Sequence, residues 1–211
     1  MTRFMRSIAV LILAVIALTV AAIARGQESQ PQETDDFTTR YFQMLGGMAV
    51  GFLAHEAAHY AAGAGKTQFH NDTTPVPNWS CEGCGRDHTR FVSLAGFMEQ
   101  IISTEIIFRS GALPRRGPSF LHGFVLFNII LPVGYVYANE VSDAISGEGM
   151  GDLKAFNRSE RRAIEASLLA WSAMSAYRWY ALAERRQLPS FFLFVTPIPH
   201  GGITVTYSQR F

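Results

Sequence analysis

The sequence predicts a mainly α protein: a helical bundle of about four apolar helices, embedded in a membrane, with a short C-terminal β-strand. Three observations carry that expectation. Hydrophobic residues make up 48% of the chain and charged ones only 17%. Apolar segments of helical length alternate with Gly- and Pro-rich breaks. One stretch, residues 117–139, holds no formal charge over 23 residues, enough for a tilted bilayer span. The 211 residues suit one domain or a small set of membrane helices, and nothing in them repeats. A net charge of +1 leaves no excess basicity to hold a polyanion, which excludes nucleic acid as a partner.

Taken in order, residues 1–24 carry Arg3 and Arg6 ahead of an apolar run, Ile8 to Ala24, that ends in small residues. This is the pattern of a signal peptide or, if uncleaved, an N-terminal anchor. Either implies export, with the inner membrane as the expected location and the periplasm as the alternative. Residues 25–40, polar and acidic, read as a flexible linker. Residues 41–211 then form the helical domain. Its first apolar segment, residues 41–64, carries Glu56 as its single formal charge. A loop with Cys81 and Cys84 follows. In an exported chain that pair predicts a small disulfide staple rather than a metal knuckle, and it lacks an evident strand-to-helix setting for redox chemistry.

The second segment, FVSLAGFMEQIISTEIIF, contains Glu99 and Glu105, and the third is the uncharged stretch. EVSDAISGEGMGDLKAF is acidic and rich in small residues, the composition of a loop or broken helix. A fourth helix opens at Ser159, with Glu160 in its first turn and Arg185 and Arg186 before Pro189. In GGITVTYSQRF, Ile203, Val205 and Tyr207 alternate with polar residues, which predicts the terminal strand.

The chemistry lies in the first segment, which reads FLAHEAAHY over residues 52–60. On a helix, positions i and i+4 share a face, so His55 and His59 can meet one Zn2+ ion while Glu56 points beside it. Glu56 is then placed to act as the catalytic base that takes a proton from water and returns it to a leaving amine. Two imidazoles and a carboxylate in a run of Gly, Ala, Leu and Phe are costly without a compensating charge, which a divalent cation supplies. A hydrolytic zinc needs a third protein ligand, and Asp152, Glu140, Asp143, Glu99, Glu105 and His122 are the candidates.

The order of segments resembles the site-2 protease family of intramembrane zinc metalloproteases. The residues that carry the resemblance are AHEAAHY, then SLAGFMEQ with Ala95 and Gly96, then FNIILP with Asn128 and Pro132, then GMGDL with Asp152; it covers about residues 41–156. It implies that Asp152 is the third ligand and that polypeptides in or near the membrane lipid are the substrates. A rival is the string ANEVSD, which resembles the second-helix motif of soluble gluzincin peptidases, with Glu140 as ligand and Asp143 behind it. A noncatalytic envelope protein with structural or metal-binding histidines is the reading outside the hydrolases.

Overall fold

The computed structural model describes residues 37–64, 66–70, 78–114, 119–183, 190–198 and 202–210. The expected signal or anchor (1–24), most of the expected linker, and Arg185, Arg186 and Pro189 lie outside the described residues. The protein is mainly helical, with four α-helices among them: α1 (Phe37–Ala62), α2 (Arg86–Ser110), α3 (Phe120–Ser146) and α4 (Arg158–Ala183). A two-stranded antiparallel hairpin, β1 (Thr67–His70) with β2 (Asn78–Cys81), lies between α1 and α2. A 3-10 turn, Gly151–Ala155, lies between α3 and α4.

Two boundaries differ from the sequence expectation. Helix α1 starts at Phe37, inside the expected linker. Helix α3 runs on through the acidic EVSDAIS stretch to Ser146, where a loop or broken helix was expected. The physical reason is pairing: Asp143 meets Arg161 at 2.7 Å and Arg158 at 3.1 Å, and Glu140 meets Arg162, so charges that resemble a solvated loop are held by the next helix. Gly147, with φ +75°, ends the helix, a conformation in which a Cβ would be strained. Helix α4 opens with a reciprocal cap. The Asn157 Oδ1 accepts from the Glu160 N–H at 2.9 Å, and the Glu160 carboxylate accepts from the Asn157 N–H at 2.9 Å.

The chain divides into two compact units. The first contains α1, the part of α2 from Ala95 and the part of α3 up to Asn128. Here α1 and α3 meet through glycines. A Cβ on Gly47 would lie 1.9 Å from the Phe120 carbonyl oxygen, and one on Gly123 would lie 1.8 Å from the Met44 carbonyl oxygen. Gly51, one turn after Gly47, faces the Phe127 ring, whose Cδ1 would lie 2.8 Å from an added Cβ. Such backbone approach is how helices associate where water gives no hydrophobic drive between them. Phe97, Ile101, Ile107, Phe124 and Val125 fill the core of this unit.

The second unit contains the hairpin, the start of α2, the rest of α3, the 3-10 turn and α4. Its core is Val92, Leu153, Phe156, Ile164, Leu168 and Trp171. Arg90 is held there by the Glu160 carboxylate at 2.6 Å, with its guanidinium over the Phe156 ring.

Among the described residues, two helices, α2 and α3, are long and apolar enough to cross a membrane. Along α3, Ile130, Val133, Tyr137, Val141 and Ile145 are all exposed, and their spacing places them on one helix face.

Candidate metal centre

The glycine stripe of α1 continues in register into the histidine pair. Gly47, Gly51, His55 and His59 follow one another at intervals of four residues, so the face that packs closely on α3 at one end presents imidazoles at the other. Both rings are buried, His59 fully and His55 with 2% of its surface exposed. Their Nε2 atoms lie 3.1 Å apart. Two nitrogens bound tetrahedrally to one zinc at ordinary bond lengths lie roughly 3.3 Å apart, so the pair is close to that spacing. Glu56, the next residue along, is half-buried.

Gly96 of α2 forms the wall opposite the two rings. A Cβ there would lie 2.4 Å from His55 Cε1, 2.5 Å from His59 Nε2 and 2.6 Å from His55 Nδ1. No side chain fits, and the smallest one would occupy the space at the ligand nitrogen itself. Phe97, the next residue, places its ring edge-to-face with His55 at 5.5 Å between centroids. The resemblance had singled out Gly96 only as half of an Ala-Gly pair, without a role.

Asp152 is positioned by its own surroundings. It stands in the 3-10 turn after Gly151, whose φ of +52° sets the entry to the turn. The Met150 N–H donates to Asn139 Oδ1 at 2.9 Å, and the Asp152 N–H donates to the Tyr135 hydroxyl. Leu153 is fully buried, and Arg161 donates to the Phe156 carbonyl at 3.2 Å. The backbone around Asp152 is therefore tied at both ends, and its carboxyl group is buried. Among the described residues, His55 and His59 stand in the first unit and Asp152 in the second, and each carries an atom of metal-ligating type. Two imidazoles and a carboxylate, with space kept by a glycine, fit a divalent transition-metal cation by donor type.

Four of the five other candidate ligands are engaged elsewhere. Glu140 is paired with Arg162, and Asp143 is shared by Arg158, Arg161 and, at 3.8 Å, Arg162. Glu105 accepts from Arg109 at 3.2 Å, and His122 Nδ1 is 2.8 Å from the Ser119 hydroxyl. Glu99 lies beyond Gly96 on α2 and belongs to neither metal-ligating group among the described residues. Tyr135 and Asn139, which hold the Asp152 turn, carried no sequence signal, since each reads as an ordinary residue of an apolar helix.

Cys81 and Cys84 are joined as a disulfide with their Cα atoms 5.5 Å apart, the staple the sequence predicted. Unlike the sequence expectation, the pair does lie between a strand and a helix, β2 ending at Cys81 and α2 beginning at Arg86. Both sulfurs and a His88 nitrogen lie within 4.8 Å, the second cluster of metal-ligating type, but here the sulfurs are bonded to each other.

Comparison with known proteins found no matching family model, no matching curated protein and no matching solved structure.

Proposed function

We propose that this protein is a membrane-embedded zinc metallopeptidase that hydrolyses peptide bonds of membrane or membrane-proximal polypeptides. The observation that carries the reading is the buried His55 and His59 pair facing Gly96 within the first unit, with Glu56 beside His55 on the same helix. His55, His59 and Asp152 would hold the cation, which when bound supplies a Lewis acid for the scissile carbonyl. Gly96 keeps the space beside the imidazoles open. The half-buried Glu56 carboxylate takes a proton from the attacking water and delivers it to the leaving amine. The Tyr135 and Asn139 bonds hold the turn so that Asp152 need not be ordered on binding.

Support for the membrane is the pair of long apolar helices and the exposed apolar face of α3, which lipid would cover. Bundle packing is supported by the glycine contacts of α1 with α3. The expected C-terminal strand is supported by an antiparallel register that pairs Gly202–Arg210 with Ser190–Ile198. Membrane lipid and a polypeptide substrate are the partners this reading requires.

Glu56→Gln tests it. In detergent micelles supplied with zinc, the parent should cleave a quenched-fluorescent casein, and the variant should retain the metal with hydrolysis lowered by at least about 100-fold. A variant that cleaves as fast as the parent removes Glu56 from the chemistry.

A further inference from the structure

Gln100 lies on α2 one turn beyond Gly96, on the face that Gly96 turns toward the histidines. Its side chain is completely buried. Neither its amide nitrogen nor its amide oxygen has a hydrogen-bond partner, although buried amides almost always do. The surroundings are polar without satisfying it. Asn128 of α3 donates from Nδ2 to the Ser103 and Thr104 hydroxyls, each at 3.1 Å, and is 3.5 Å from the Gln100 backbone carbonyl, while its own Oδ1 has no partner. Pro132, inside α3, lacks the N–H that would normally bond the Asn128 carbonyl four residues earlier. The arrangement therefore leaves a donor and acceptors open on Gln100 and Asn128, both in the first unit with the imidazole face.

We infer that the Gln100 amide is a binding residue for the backbone of the polypeptide, which rests on the metallopeptidase reading. A primary amide offers a donor and an acceptor side by side, and a residue in extended chain presents its own N–H and C=O to the same side, so the two can join through a pair of hydrogen bonds. This recognition is indifferent to side chains and gives the site a hold on extended chain. An orphaned amide that served only the fold would be better replaced by an apolar group, since leaving buried donors and acceptors unpaired is unfavourable.

The test uses full-length protein in detergent loaded with zinc, and compares acetohydroxamate, which needs only the metal, with a tripeptide hydroxamate, which adds backbone amides. The variants are Gln100→Met, close in shape, and Gln100→Leu as a second apolar replacement. Both should fold with unchanged zinc content, bind acetohydroxamate as the parent does, and bind the peptide hydroxamate about tenfold more weakly. Unchanged affinity for both ligands overturns the inference and leaves Gln100 as the partner of an ordered water only. Equal weakening of both, or loss of zinc, also overturns it, because Gln100 would then act through the metal ligands. Failure of the zinc-loaded parent to bind either hydroxamate refutes the metallopeptidase reading, and this inference with it.

Discussion

Two regions of the molecule bury polar side chains, and they do so in opposite ways. On the α1 and α2 faces of the first unit, two imidazoles converge to 3.1 Å and a glycine stands where a side chain would fill the space. Between α3 and α4 of the second unit, the buried Asp143, Arg161, Asn139 and Glu165 form a network in which carboxylates meet guanidinium or amide donors, with the exposed Arg162 and half-buried Glu140 paired at its edge. Buried charges that neutralise one another are explained by the fold they hold together. Like groups drawn onto one point, with a glycine as the opposing wall, leave space in which a cation could be held.

The comparison breaks first at Gly96. Alanine in place of a helical glycine ordinarily favours the helix by about 1 kcal/mol, so Gly96→Ala should leave helix content intact. The added methyl would nevertheless stand 2.5 Å from His59 Nε2, and metal binding should be lost. Circular dichroism beside metal analysis checks this, and a variant that still binds the cation at parental affinity would show that the space is incidental. The paired region should respond the other way. Asp143→Ala leaves the buried Arg161 without its carboxylate, which should destabilise the protein by about 3 kcal/mol in denaturant unfolding. With the turn weakened but Asp152 still present, residual metal binding at low denaturant would sharpen the division between the regions.

The smallest effect concerns Glu165, which lies on α4, outside the two candidate spans. Burial pushes its carboxyl up from the ordinary range, and its hydrogen bond with the Glu140 carboxyl pushes it further the same way. A raised carboxyl holds its proton more tightly in the folded chain. Its contribution is therefore fully present below the unfolded value, near pH 4, and is lost as pH rises through the folded one. Glu165→Gln should make the protein slightly more stable than the parent at neutral pH, with the gain vanishing in acid. Melting curves across that range check the sign.

How much of this was legible in the sequence depends on how local each signal is. The His55 and His59 spacing is a property of a single helix and could be read directly. Helices α1 and α2 were likewise evident from apolar length, α4 from the charge polarity of its ends, and the disulfide from composition and expected compartment. The acidic end of α3 reads as loop in the sequence because its charges look solvated, whereas their partners stand about 20 residues later on α4. Gly96 could not be assigned a role, since its meaning is the absence of a Cβ opposite residues some 40 positions away. Asp152 emerged from the resemblance alone, because a Gly-Asp pair also serves any turn. The bonds from Tyr135 and Asn139 that fix it depend on long-range packing.

Metal analysis of the detergent-purified protein, beside the variant carrying both His55→Ala and His59→Ala, tests the central claim most directly. The account predicts a single tightly held divalent cation per parental chain and none above background in the double variant. A parental chain that binds no cation after incubation with zinc, or a double variant that keeps it, would contradict the assignment of these imidazoles as ligands.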